Sequence, residues 1–162
     1  MILLIIAAIG DITRYRISNR LVVAIAAAFA VGLLFNFSWP ALGWSAGAGI
    51  TMFGLGAALF ALGLFGGGDV KLIAAMALWT GVAGLPRFLL IMTAVGGVLG
   101  VIWLLRRKRS MAKLAFDPGA ALPGGSPPIP NKLPYGVAIA IAGLDFFLTA
   151  PHSPLAPLLP WI

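Results

Sequence analysis

The chain has 162 residues, 61% of them hydrophobic and only 9% charged, with a mean hydropathy of +1.06. A soluble globular domain carries about 25% charged residues, so this composition predicts one all-α, membrane-embedded domain over residues 1–162. There is no cysteine, the one histidine (His152) sits in a Pro-rich tail, and the net charge of +7 lies at the ends of apolar segments. Thiolate chemistry, a histidine triad, a metal or other cofactor and nucleic acid are therefore not expected, and the basic residues read as topology signals and contacts to anionic lipid.

Six apolar segments follow in chain order, at residues 1–10, 21–36, 41–65, 70–85, 87–105 and 134–150. A helix needs roughly 20 residues to cross the hydrocarbon core, with a range of about 17 to 25. The third and fifth segments meet this easily, and the second, fourth and sixth lie at its edge. The first meets it only if its helix runs past Asp11 toward Tyr15 or the true chain starts upstream. A removable signal peptide is not expected there, since no basic stretch precedes the apolar run.

Six alternating crossings place residues 11–20, 66–71 and 106–133 on one side. These hold Arg14, Arg16, Arg20, Lys71, Arg106, Arg107, Lys108, Arg109, Lys113 and Lys132. The other side, residues 37–40, 84–87 and both termini, holds only Arg87. By the positive-inside rule the first set is cytoplasmic and both termini face outward. Residues 106–133 then form a cytoplasmic loop, basic and Pro/Gly-rich, and residues 151–162 an outward-facing tail. The pairs Gly43/Gly47, Gly63/Gly67 and Gly96/Gly100 have the spacing that lets helix backbones approach closely in lipid.

The acids are Asp11, Asp69, Asp117 and Asp145, with no glutamate. Asp11 and Asp69 fall at the same, cytoplasmic side of the predicted topology. An ionisable residue at membrane depth points to function, and two carboxylates that meet suggest peptide hydrolysis by a shared-proton dyad. Gly66, Gly67 and Gly68 allow a tight turn and leave room beside Asp69. Simpler roles are available to each acid alone: Asp69 as a helix N-cap, Asp11 as an ion-pair partner of Arg14 or Lys71. A small transporter or proton-conducting subunit using the same acids is the alternative activity, and an assembly subunit a further one.

The run Gly66-Gly67-Gly68-Asp69 resembles the GxGD motif of intramembrane aspartyl proteases. Asp11-Ile12-Thr13-Arg14-Tyr15-Arg16-Ile17-Ser18-Asn19 is similar to the D-x-x-x-x-x-I-P-N segment of bacterial type IV prepilin peptidases, with Ser18 in place of Pro. Gly68-Asp69-Val70-Lys71-Leu72 resembles that family's GD-x-K-L/I run, and Pro134-Tyr135-Gly136 its late P-Y-G motif. The resemblance implies that Asp11 and Asp69 are catalytic, with Asn19, Gly66, Gly67, Gly68, Lys71, Pro134, Tyr135 and Gly136 shaping the site or contacting substrate. Asn19 would hold the turn before the second helix or cap that helix, and Pro134 would suit a helix start. It further implies cleavage of a short basic leader from a prepilin at the inner face of the bacterial cytoplasmic membrane. Larger members carry a four-cysteine metal site and methylate the new N-terminus; this chain, without cysteine, is similar to the short peptidase-only branch serving Tad/Flp pili.

Overall fold

The computed structural model describes residues 1–15, 17–35, 39–116 and 133–149, and every regular element among them is helical. The elements are α1 (Ile2–Arg14), α2 (Asn19–Phe35), α3 (Trp39–Ala61), α4 (Gly67–Phe116) and α5 (Tyr135–Thr149). Two spans are long and apolar enough to cross a membrane, Leu42–Ala61 and Gly67–Arg109; Asn19–Leu34 and Tyr135–Thr149 are shorter apolar helices. Helix α1 does continue past Asp11. It stops at Tyr15, the one described non-glycine residue in the left-handed region (φ 48°, ψ 35°), whose N–H returns to the Asp11 carbonyl at 2.9 Å. That conformation costs an L-residue about 1–2 kcal/mol and turns the chain sharply toward α2. Ser18 then starts α2, its carbonyl accepting from the Leu21 and Val22 N–H groups.

Helix α4 is two arms. At Gly81 the backbone leaves the helix (φ 56°, ψ −173°), in a region open essentially to glycine alone. The break corrects the expected turn at residues 84–87, which are helical. Pro86 follows five residues on, inside the helical second arm, with no break of its own. The second arm also runs on through Arg106, Arg107, Lys108 and Arg109 to Phe116, so the start of the expected 106–133 loop is helical. The rest of that loop (117–132, with Asp117 and Lys132) and the 151–162 tail with His152 lie outside the described residues.

The core sits on the first arm of α4. Leu72 and Met76 are fully buried against Ile139 of α5 and Leu4 of α1. Helix α4 packs on α3, α5 and α2, while α1 packs chiefly on α5. The helices approach one another closely at several points. Glycines supply the room, though mostly not the pairs picked out by spacing. A methyl group on Gly49 would lie 2.5 Å from Leu78, and one on Gly56 would lie 2.7 Å from Val70, so α4 seats its side chains on α3 at those positions. Gly43, Gly47 and Gly100 have open space there; of the expected pairs, Gly96 alone makes a tight approach. The GxxxG rule misses this because it counts spacing and not facing.

The outer surface is apolar, with Ile5, Ile12, Val23, Ile50, Leu90 and Val98 each about half exposed or more. Trp79 ties α4 to α2 by donating its indole N–H to the Ile25 carbonyl at 3.1 Å. At the end away from Asp11, Arg87 donates to both carboxylate oxygens of Asp145, at 3.0 and 3.2 Å. The basic residue that stood against the charge asymmetry is thus paired with a carboxylate of its own.

Candidate active site

Asp69 is the third residue of α4. Gly66 precedes the helix and accepts the Val70 N–H at 3.1 Å, so Gly66, and not Asp69, occupies the cap position. The Asp69 side chain folds back over Gly66, whose N–H lies beside the carboxylate. This is half of a capping box, with the acid at the position three residues into the helix. A side chain on Gly66 would lie 2.7 Å from the nearer Asp69 oxygen. The three glycines divide their work. Gly66 makes room for Asp69 itself, Gly67 stands at ordinary contact with Phe60, and Gly68 faces Ile17, which a Cβ would approach at 3.2 Å.

Asp11 lies three residues before the end of α1 and is buried, at 5% exposure. Its carboxylate meets the N-terminus of α5. The Gly136 N–H donates to Oδ2 at 2.6 Å, and the Val137 N–H also points to the carboxylate. The first N–H groups of a helix have no partner within it, and an anion is stabilised there. Asp11 therefore caps a helix far along the chain. A Cβ on Gly136 would stand 2.8 Å from the same oxygen and 2.9 Å from Ile17, so glycine is required for this approach.

Asp11 and Asp69 line one cavity of ≈ 730 Å³, with Tyr15, Ile17, Gly66, Gly67, Gly68 and Tyr135 on its walls. The two carboxylates are close enough for the charge of Asp11 to act on Asp69. Neither forms an ion pair with Arg14 or Lys71 among the described residues. The simpler role suggested for Asp11 is not what the structure contains.

Of the remaining sequence-derived residues, Tyr135 joins the site while Lys71, Asn19 and Pro134 stand off the cavity wall. Lys71 Nζ donates to Asn19 Oδ1 at 3.0 Å, linking the starts of α4 and α2 at an exposed position. Asn19 is the first residue of α2 and so does not cap it; its amide serves this bridge instead. Pro134 accepts the Val137 N–H at 3.4 Å and begins α5. The Tyr135 ring packs edge-on to Phe65, with centroids 5.3 Å apart. It lies so close over Gly96 that a Cβ there would be 2.7 Å from the ring.

Two supporting residues, Gly96 and Phe65, carry no mark in the sequence that assigns them to the site, and a third, Ile17, carries one that hides its use. Ile17 was visible as the isoleucine of the D-x-x-x-x-x-I segment, but its function as a wedge between Gly68 and Gly136 needs the fold. Among the described residues no three His, Cys, Asp or Glu side chains gather as a metal site.

The fold and the site define an all-helical protein with two carboxylates facing one cavity at a single end of its bundle. The sequence profile of the type IV leader peptidase family matches residues 1–101, over half of the chain, and the chain belongs to that family. A 60-residue stretch is 43% identical to the prepilin leader peptidase/N-methyltransferase of Xanthomonas campestris pv. campestris. The stretch is 36% of this chain and 21% of that relative, so the alignment spans about a fifth of the relative's length. No solved structure matches the chain.

Proposed function

We propose that this chain is a membrane aspartyl endopeptidase that removes the short basic leader from type IV prepilins of the Tad/Flp kind. The observation that carries this is the meeting of Asp11 and Asp69 on one cavity, supported by family membership. The pair shares one proton, because two like charges at short range do not both ionise. The ionised carboxylate takes a proton from water, and the hydroxide oxygen bonds to the scissile carbonyl carbon. The protonated carboxyl donates to the carbonyl oxygen, giving a tetrahedral diol. Collapse of the diol breaks the C–N bond while one carboxyl protonates the leaving nitrogen and the other carboxylate takes the proton of a diol hydroxyl as the C=O re-forms, so the dyad again holds one shared proton. No acyl-enzyme forms. Tyr135, Gly66 and the first two residues of α4, Gly67 and Gly68, shape the walls against which the substrate backbone lies; the chain's turn into α4 is at residues 62–65, with Gly63 at positive φ, and not at the three glycines.

On this reading the protein is a single domain of the bacterial cytoplasmic membrane with six crossings, the two arms of α4 counting separately, and both termini outward. The dyad then faces the cytoplasm. Three features support the topology: the ten-to-one distribution of basic residues, the gathering of Asp11, Asp69 and Gly136 at one end, and the Arg87–Asp145 pair at the other. Exposed Trp39 and Trp44 at the start of α3, with Trp103 late in α4, suit aromatic belts at the two interfaces. A prepilin's apolar helix enters the lipid beside the protein while its leader remains at the anionic inner surface.

The test is cleavage of a purified prepilin by the full chain in detergent, read as a shorter product on a gel. Asp11→Asn and Asp69→Asn should each abolish product while the protein stays helical. Undiminished product from either variant removes that residue from the reaction. A transporter would leave precursor length unchanged and show altered ion flux in the same variants.

A further inference from the structure

A second cavity, of ≈ 580 Å³, lies between α1 and α2 and excludes both aspartates. Its walls are apolar, built by Ile6 and Ile9 of α1, Ile17 of the turn and Leu21 of α2, and Arg14 and Arg20 stand at its end. Both arginines are exposed, and among the described residues neither has a hydrogen bond or ion pair with protein. The volume falls within the range of about 300–1,000 Å³ usual for small-ligand sites. A long apolar wall ended by two free guanidiniums matches one kind of molecule in a bilayer, an acyl chain joined to an anionic phosphate. Guanidinium forks pair with phosphate oxygens in two-point geometry.

We infer that the α1–α2 cleft is a binding site for one anionic phospholipid, its acyl chain along Ile6, Ile9 and Leu21 and its phosphate between Arg14 and Arg20. The rival occupant, the apolar helix of a prepilin, fits poorly on charge and on position. Its basic leader would be brought against two arginines. Helix α1 turns Leu4 and Asp11 toward the core, and neither lines the cleft, whereas Ile6, Ile9 and Thr13 do, so a chain seated there lies behind α1 from the carboxylate. A lipid in the cleft fills the gap on the side of α1 that α5 does not cover, and so steadies the helix that presents Asp11. The inference rests on the membrane topology proposed above, which puts both arginines at the anionic inner leaflet, but not on the peptidase reaction.

The experiment uses the full chain with phosphatidylglycerol and phosphatidylcholine as probes. Native mass spectrometry from mixed micelles should find one phosphatidylglycerol retained in preference to phosphatidylcholine, by a factor on the order of tenfold for the charge contacts. Arg14→Gln with Arg20→Gln should lose that preference, while Arg106→Gln with Lys108→Gln, on the basic extension of α4, should keep it. An independent readout is Ile9→Trp in vesicles, where spin-labelled phosphatidylglycerol should quench the added emission more than equally labelled phosphatidylcholine. Equal retention or equal quenching of the two lipids overturns the inference. So does oxidant-promoted disulfide formation between the Ile9→Cys chain and a prepilin carrying one introduced cysteine, or between two copies of the Ile9→Cys chain, whose added thiol is its only one. Neither lipid readout requires cleavage, so a chain that selects phosphatidylglycerol but cuts no precursor would sink the peptidase reading alone.

Discussion

The backbone N–H of Gly136 donates a 2.6 Å hydrogen bond to the Asp11 carboxylate, joining residues 125 positions apart. The contact makes the first turn of α5 part of the site and gives the Pro134-Tyr135-Gly136 run a physical reason. A helix N-terminus holds the carboxylate, and only a residue without a side chain allows the approach.

Gly136→Ala should therefore damage activity more than folding. Its methyl would push Asp11 Oδ2 or Ile17 aside by several tenths of an ångström. Displacement of a reacting group by about 1 Å can cost about 100-fold in rate. We expect kcat for prepilin cleavage to fall by tens of fold or more, with helical content by circular dichroism unchanged.

The pH profile should be a bell. At low pH both carboxyls are protonated and neither accepts the water proton; at high pH both are ionised and neither donates to the carbonyl oxygen. Activity is confined to the window in which the pair holds one proton, and the two limbs belong to the pair jointly. Single-turnover rates measured across pH should have both limbs. A rate that climbs to a plateau at high pH would remove the proton-donating role.

Gly96 and Tyr135 should behave as one unit. Gly96→Ala places a methyl 2.7 Å from the Tyr135 ring and forces the ring toward the cavity. Its effect on kcat should shrink in a Tyr135→Ala background. A double-mutant cycle should give a coupling of about 0.5–3 kcal/mol, the range for residues in contact. Additive effects would place the Tyr135 ring elsewhere.

Gly81→Ala should lower stability without touching the site directly. The backbone there lies where non-glycine residues pay about 1–3 kcal/mol, and Gly81 lines neither cavity. A fall in the thermal unfolding midpoint in detergent, with the residual folded fraction retaining its KM, is the expected result.

The Asn19–Lys71 bridge should be minor. It is exposed, and such a hydrogen bond contributes about 0.5–1.5 kcal/mol or less. Asn19→Leu and Lys71→Met should each leave cleavage within a few fold, with most of the loss in either one absent when the other is already changed.

The positions of Asp11 and Asp69 were legible in the sequence for a simple reason. The few acids stand out in so apolar a chain, and the topology expected from the apolar segments puts these two on one side; the shared cavity is what the structure adds. The helical segments were legible as well, since apolar length is nearly the whole signal. What escaped was governed by facing and by torsion. Proline at 86 looks like the breaker, yet the break is at Gly81, which adopts angles that glycine alone reaches readily. The glycines chosen by spacing mostly face away from other helices, whereas Gly49 and Gly56 receive Leu78 and Val70. Asn19 carries no sequence trace of Lys71, which comes to it from another helix. Ile17 is legible as the isoleucine of the D-x-x-x-x-x-I segment, but its place between Gly68 and Gly136 shows only in the fold.

The grip of α5 on Asp11 limits how a polypeptide could gain entry. Prising α1 from α5 would strip the carboxylate of its N–H donors and dismantle the machinery in the act of admitting a guest. An opening that keeps the acid in place would carry α1 and α5 as one piece and break the Phe65–Tyr135 ring contact, so that the α3–α4 turn swings clear. On the proposed peptidase reading, the way in and the reacting group would belong to different parts of the bundle.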